Sequence, residues 1–339
     1  MRQYVIESAE GGIDGLRIVE RESPKPGPGQ ALVRIRAASL NYRDLLLASG
    51  TVPLRRLPLV PLSDGAGEVV EVGEGVTRVK PGDRVAALFF QGWLGGPMRR
   101  EVHNTALGGA LDGMLSEEVV LNADGLVQVP GHLSFEEAST LPCAGVTAWN
   151  ALNAQEPLRA GQTVLALGTG GVSVFALQFA KAQGARVIIT SSSDEKLARA
   201  RELGADDTVN YATTPEWDKA VLDLTGGSGV DRVIEVGGSG TLPRSLRSAT
   251  YGGRVVVIGG VTGRGVSEVG PADIFGKSLT LQGIYVGSRD DFEAMNRAVA
   301  QVRLRPVIDR VFPFEEAREA YGYQKSGAHF GKVVISLEG

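Results

Sequence analysis

Residues 164–193, VLALGTGGVSVFALQFAKAQGARVIITSSS, constrain the fold of this chain more than any other stretch. The apolar run Val164 to Leu167 suits a strand buried on both faces. It passes at once into Gly168-Thr169-Gly170-Gly171-Val172-Ser173. Val172, Phe175, Ala176, Phe179 and Ala180 then recur at i, i+3, i+4, i+7 and i+8, which predicts a helix with one apolar stripe. Gly184 ends it, and Arg186 to Thr190 reads as a second buried strand. Strand, glycine turn, helix and strand in that order are the context a dinucleotide-binding turn requires. Glycines let the backbone approach a pyrophosphate, and the helix N-terminus offers unpaired N–H groups and a positive dipole end. Ser173 stands where a third glycine is usual, and its small side chain still allows the helix to pack closely on the strand. The flanking elements matter because the chain holds 46 glycines in 339 residues, so a bare G-x-G carries little information.

The end of the second strand bears on which dinucleotide is bound. An NAD site usually places an acid there for the ribose hydroxyls. Here the chain reads Thr190-Ser191-Ser192-Ser193-Asp194-Glu195-Lys196. Hydroxyls on Ser191 and Ser192 with Lys196 behind them suit a 2′-phosphate, so NADP(H) is expected over NAD(H), although serines also hydrogen-bond an unphosphorylated ribose. Asp194 and Glu195 read as the first turn of the next helix.

A chain of this length is expected to form two domains. The formal net charge of −4 offers no electrostatic footprint for nucleic acid or an anionic membrane. No apolar run approaches a membrane span, and MRQYVIESAEGG lacks the pattern of a signal peptide, so a cytoplasmic protein is expected. One cysteine, Cys143, and three histidines leave little from which to build a Cys/His metal cluster.

Upstream, Leu16 to Glu20 and Ala31 to Arg36 read as strands. A short helical turn is expected across Ala37 to Leu47, and glycine-punctuated strands around Ser63-Asp64-Gly65 and Val79 to Val85. Residues 89–114 read as an irregular glycine-rich loop. Ser134-Phe-Glu-Glu137 has the spacing of a capping box. Beyond residue 193, helices at 195–203, 217–224 and 242–248 alternate with strands at 208–210, 230–236 and 254–258. Together with the opening motif they predict a doubly wound parallel sheet.

ALVRIRAASLNYRDLL, SDGAGEVVEVGEGV, VKPGDRV, LPCAGVTAW, LGTGGVS and the final FGKVVISL, in that order, resemble the medium-chain dehydrogenase/reductase superfamily over essentially the whole chain. The resemblance implies an α/β protein with a Rossmann domain at 123–269 and a GroES-like, mainly antiparallel β catalytic domain at 1–122 with 270–339. It also implies a homodimer joined through the strand at 278–285. A zinc alcohol dehydrogenase would carry cysteine near Asn41, histidine near Ser63 and a third ligand at Cys143. Only Cys143 remains, with the Asp64 carboxylate short of completing a set, so no metal is expected. Cys143 is then expected as a buried small side chain.

The resemblance places Asn41, Tyr42, Asp44, Ser63 and Asp64 at the catalytic centre. Thr147 is placed at the nicotinamide, with an ordinary bond to a carbonyl one turn back as its alternative. Tyr211 is placed at the adenosine phosphate, with a surface-packing aromatic as its alternative; Lys332 reads as reaching the cofactor phosphates or as simply solvated. The turns at Gly237 and at Gly259 with Val261 fall at carboxyl ends of strands, where such sheets bind ligands. Without a metal, a conjugated carbonyl or quinone is easier to reduce than a plain alcohol is to oxidise. Tyr42 is the expected hydrogen-bond donor, with Asn41 orienting the substrate; the alternative is that Tyr42 packs in the β domain and Arg43 with Asp44 form a surface ion pair. Val52 departs from the tyrosine that enoyl reductases of this type often carry shortly after the motif. The expected activity is reduction of an activated C=C bond or a quinone. A zinc-free alcohol dehydrogenase or ketone reductase is the alternative, and a nucleotide-binding protein without turnover the lesser one.

Overall fold

A computed structural model describes residues 1–338. These divide into two units, one formed by residues 1–146 with the described residues from 286 onward and the other by residues 147–285.

The first unit opens with β1 (Arg2–Ile6) and β2 (Leu16–Glu20), an antiparallel pair. The long strand β3 (Gln30–Ser39) follows, then α1 (Tyr42–Ala48), β4 (Asp64–Val72), β5 (Arg84–Ala87), β6 (Glu118–Asn122), β7 (Leu126–Gln128) and α2 (Phe135–Ser139). The helical turn expected from Ala37 begins only at Tyr42. Ala37, Ala38 and Ser39 remain in β3, where they pair with both β4 and the last strand of the chain, and sheet pairing overrides the local helical pattern. Ser134 caps α2 as expected: its Oγ accepts from Glu137 N at 3.1 Å, while Ser134 N donates to Glu137 Oε2 at 2.8 Å.

The second unit carries α3 (Val146–Asn153), β8 (Thr163–Ala166), α4 (Gly171–Ala182), β9 (Arg186–Ser191), α5 (Asp194–Glu202), β10 (Asp207–Asn210), α6 (Trp217–Leu224), β11 (Val230–Glu235), α7 (Leu242–Ser248), β12 (Ala249–Val257), α8 (Pro271–Phe275) and β13 (Thr280–Gly283). Its six strands pair in parallel in the order β10-β9-β8-β11-β12-β13, a doubly wound sheet whose order reverses at β8. Val164, Leu165 and Ala166 of β8 are wholly buried, and Phe175, Ala176, Phe179 and Ala180 form the buried face of α4. That agrees with the apolar run and with four positions of the expected stripe; Val172, at the head of α4, is only half-buried.

The chain then returns to the first unit with α9 (Arg289–Val302), β14 (Ile308–Pro313), α10 (Ala317–Ser326) and β15 (Lys332–Ser336). This unit's seven-stranded sheet runs β14-β15-β3-β4-β5-β7, with β6 on the other part of β3. The divisions expected after residues 122 and 269 fall elsewhere: β7 pairs with β5 in the first unit, and β13 with β12 in the second.

Candidate functional site

Two places gather the residues singled out in the sequence, one in each unit. In the first unit Asn41 and Ser63 each follow a buried leucine, Leu40 and Leu62, of the same apolar core. Leu62 sits at φ 68°, left-handed backbone that costs a branched residue on the order of 1–2 kcal/mol. Hydrogen bonds hold it there: Met114 N donates to Leu62 O at 2.8 Å, and Gly113 N to Val60 O at 2.7 Å. Gly113 lies so close to this segment that a Cβ would come within 2.0 Å of Leu62 O. The glycine-rich loop thereby fixes the chain leading into Ser63.

The polar groups form one buried network. Asn41, Asp44, Ser63, Asp64 and Lys332 are each 8% exposed or less. Lys332 Nζ donates to Leu40 O at 2.5 Å and to Asn41 Oδ1 at 2.6 Å. Asn41 Nδ2 lies 3.5 Å from Ser63 Oγ, which donates to Asp64 Oδ1 at 2.7 Å. Cys143 N donates to Asp64 Oδ2 at 3.0 Å. Burial pushes the Lys332 pKa down, and the Asp64 charge opposes that. Burial pushes Asp64 up, and Lys332, Ser63 and Asn41 oppose. Desolvation, then the Asp64 charge, push the Cys143 thiol up, so it stays protonated; the residue is half-buried, not enclosed.

One expectation changes here. Lys332, expected to reach the cofactor phosphates, is instead buried beside Asn41 and Asp64. β15 pairs antiparallel with β3, and Leu40 N donates to Val333 O at 3.0 Å, which turns the lysine inward. Tyr42 lies outside the network: it is 38% exposed, and its hydroxyl has no hydrogen-bond partner among the described residues.

Asp44 is buried beneath α1. Its Oδ2 accepts from Asn41 N at 2.8 Å, while Oδ1 has no hydrogen-bond partner among the described residues and lies 3.6 Å from Arg43. Burial pushes its pKa up to about 6, against the pull of Arg43. The folded value lies above the unfolded one, near 3.9. Ionisation of the folded state as pH rises through about 6 therefore costs stability, and that cost vanishes below about pH 4. Replacing Asp44 by Asn should stabilise the protein at pH 8 by about 1–3 kcal/mol and by little at pH 4.5, read from urea midpoints at the two pH values.

In the second unit Gly168, at φ 73°, makes the turn from β8 toward α4. Gly168 N donates to Thr190 Oγ1 at 3.1 Å, and Thr169 Oγ1 lies 3.4 Å from Ser191 Oγ. Ser173 Oγ donates to Leu167 O at 2.6 Å, so the residue in the third glycine position ties helix to strand. A Cβ on Gly168 or Gly170 would meet no protein atom within 4 Å. That open cradle lies at the N-terminus of a twelve-residue helix and fits a dinucleotide pyrophosphate. Ser193 caps α5, its Oγ accepting from Lys196 N at 3.3 Å, which leaves Ser191 and Ser192 at the end of β9. Tyr211 is 43% exposed after β10, and its N donates to Ser191 O at 3.0 Å. Thr147 is buried at the start of α3.

Glu235, at the carboxyl end of β11, was not singled out from the sequence. Its Oε1 accepts from Gly237 N at 2.7 Å, Gly238 N at 2.9 Å and Thr241 Oγ1 at 2.7 Å, and its Oε2 accepts from Ser245 Oγ. The turn it holds carries the neighbouring one: Thr262 N donates to Gly237 O at 2.7 Å, and Ser239 N to Gly263 O at 3.0 Å. Gly237 and Gly259 thus lie in two interlocked turns, with Val261 52% exposed beside them.

A nucleotide cradle in a doubly wound unit, joined to an antiparallel β unit with a buried polar cluster, defines a class of nicotinamide-dependent oxidoreductases. Residues 27–131 match the alcohol dehydrogenase GroES-like domain, and residues 171–301 the zinc-binding dehydrogenase domain. The chain is 46% identical, over 99% of both chains, to a zinc-type alcohol dehydrogenase-like protein of Schizosaccharomyces pombe. It is 33% identical to an acryloyl-coenzyme A reductase of Metallosphaera sedula, covering 96% of this chain and 98% of that one. An NAD-dependent alcohol dehydrogenase structure superposes with a TM-score of 0.89 at 36% identity, over 99% of this chain and 100% of the other. The chain belongs to the medium-chain dehydrogenase/reductase superfamily and is an NAD(P)-dependent oxidoreductase.

The matched domain description implies zinc, so the donor set bears examination. Zinc takes about three thiolate, imidazole or carboxylate donors. Here Asn41 and Ser63 offer an amide and a hydroxyl in place of such donors, both Asp64 oxygens already accept hydrogen bonds, and an ammonium occupies the cluster. Among the described residues no three His, Cys, Asp or Glu side chains are grouped to hold a metal ion. These residues do not fit zinc.

Proposed function

We propose that this oxidoreductase works without zinc and uses NADP(H) to deliver hydride to the conjugated C=C bond of an α,β-unsaturated carbonyl or to a quinone. The observation that carries the reading is the buried ammonium of Lys332, hydrogen-bonded to Asn41 where a metal-dependent relative would present ligands. Positive charge and N–H donors in a desolvated cluster stabilise an oxygen that becomes anionic during reduction. The acryloyl-coenzyme A reductase relative supports the same substrate class.

Gly168 to Val172 would hold the pyrophosphate, Ser191, Ser192 and Lys196 the 2′-phosphate, and Tyr211 the adenosine side. The bound dinucleotide supplies the hydride. Hydride adds to the β-carbon, the π electrons move to the oxygen, and one proton completes the saturated product. Asn41 orients the substrate oxygen, and the exposed Tyr42 hydroxyl, with no protein partner, supplies the proton. A ketone reductase or alcohol dehydrogenase is the second reading, favoured by the alcohol dehydrogenase neighbour. A homodimer is proposed through the edge strand β13, beside the exposed Tyr251, Phe275 and Tyr285. Light scattering would show twice the mass of one chain.

Steady-state NADPH oxidation with an enal, a quinone and a simple ketone tests the reaction. Turnover of the first two with little on the ketone is expected, and turnover confined to the ketone would replace this reading by the second. Tyr42→Phe should lower kcat about 10–100-fold with NADPH affinity unchanged; an unaltered kcat removes Tyr42 from the chemistry. Lys196→Ala should weaken NADPH about tenfold and leave NADH nearly untouched. Equal losses for the two would overturn the phosphate assignment.

A further inference from the structure

We infer that Lys332 is the positioning residue that makes the Asn41 amide a one-way donor, its Nδ2 edge held ready for an oxygen that becomes anionic. This rests on the reduction reading above.

An asparagine amide can ordinarily present either edge, because its oxygen and nitrogen are nearly the same size. Here the chemistry at both ends fixes it. An ammonium has donors and no acceptor, so the oxygen of Asn41 must face Lys332 Nζ, 2.6 Å away. At the other end the Ser63 hydroxyl gives its proton to Asp64 Oδ1, so toward Asn41 it can only accept. The chain of donors runs in one direction, from Lys332 through Asn41 and Ser63 to Asp64, and Cys143 N closes the far side of that carboxylate.

The same arrangement explains a departure at the head of α1. Asn41 is its N-cap residue, and an N-cap asparagine commonly turns its side-chain oxygen onto the first helical turn. This one gives its oxygen to Lys332 instead, and Asp44 Oδ2 caps the Asn41 N–H in return. Backbone geometry holds the lysine in place. Gly331, at φ 82°, lies so close to Val307 that a Cβ would come within 2.5 Å of its carbonyl oxygen, which sets the start of β15. Nδ2 carries two N–H groups; its contact to Ser63 is long, and the Asn41 side chain also bears on the Asp64 carboxylate. The ammonium on the amide oxygen polarises these N–H groups. In a desolvated cluster such a donor favours an oxygen that is gaining charge.

The test uses 4-nitrophenol, whose phenolate absorbs in the visible and mimics the oxyanion without needing turnover. Wild-type protein should bind the phenolate and lower its apparent pKa. Lys332→Met should raise that value by about one unit, a tenfold weaker preference for the anion, and lower kcat and kcat/KM together by at least about tenfold with KM for NADPH unchanged. Lys332→Arg keeps the charge and should recover part of both effects. Asn41→Asp, nearly isosteric and acceptor-only, should lose phenolate binding, and it carries the test should Lys332→Met fail to fold.

Equal probe pKa values in wild type and Lys332→Met, or no phenolate binding by wild type, would overturn the inference. A Lys332-dependent probe pKa in a protein that reduces none of the acceptors would sink the proposed reaction alone.

Discussion

Replacing Glu235 by Leu should cost the protein about 3–5 kcal/mol and lower Tm by on the order of 10 °C. Glu235 is wholly buried, and four donors converge on its carboxylate. Leucine fills similar volume but accepts nothing. Two backbone N–H groups in the Gly237-Gly238 turn would be left unpaired, each at about 1–3 kcal/mol, while the two hydroxyls can rotate toward other partners. The turn cannot relax easily. Gly238 lies at φ 93°, and a Cβ there would meet Gly263 O at 2.3 Å, so the backbones of the two turns are already in contact. Glu235→Gln separates shape from charge. The amide oxygen can keep the three donors on Oε1, and its NH2 then faces Ser245 Oγ, which reverses its hydroxyl. The expected loss is about 1 kcal/mol. A Gln variant as unstable as the Leu variant in thermal melts would mean that the negative charge itself holds the turns.

Glu235 also shows what the sequence hides. In Val-Asp-Arg-Val-Ile-Glu-Val-Gly-Gly it reads as the polar end of a buried strand, and nothing local announces that its partners lie up to ten residues onward. The nucleotide cradle was legible because its signal is local: an apolar strand, a glycine turn and an amphipathic helix are contiguous and each has its own period. The grouping of the buried polar residues was legible too, since Asn41, Asp44, Ser63 and Asp64 lie together. The role of Lys332 was not. In Gly-Lys-Val-Val-Ile it looks like the solvated start of a strand, and only the pairing of β15 with β3, across nearly 300 residues of chain, turns it inward. Long-range pairing likewise decided where α1 begins and where the units divide. The left-handed Leu62 had no signal at all, because glycines 46 residues and more downstream hold it in place.

Gly170→Asp should abolish binding of both nicotinamide dinucleotides while leaving the fold as stable as before or more so. Gly170 is the N-cap of α4, with extended backbone at φ −79° and ψ 179° that any residue adopts, and nothing in the protein lies within 4 Å of a Cβ there. Aspartate is among the best N-cap residues: its carboxylate accepts from the N–H groups of the first turn and complements the helix dipole, together worth about 0.5–1 kcal/mol over glycine. Those are the N–H groups that the proposed function assigns to the pyrophosphate. The new carboxylate would satisfy them and repel the ligand at once, so NADPH and NADH should both weaken at least about 100-fold, roughly 3 kcal/mol. Gly168 makes a poorer test, because its φ of 73° strains any substituent and confounds binding with folding. Calorimetric titration and a thermal melt on the same Gly170→Asp sample separate the outcomes. A stable variant that binds NADPH as tightly as wild type would place the pyrophosphate elsewhere and overturn the assignment of Gly168 to Val172. Opposite movement of stability and affinity from one substitution requires the empty helix end itself to be the anion site, since loss of packing would lower both.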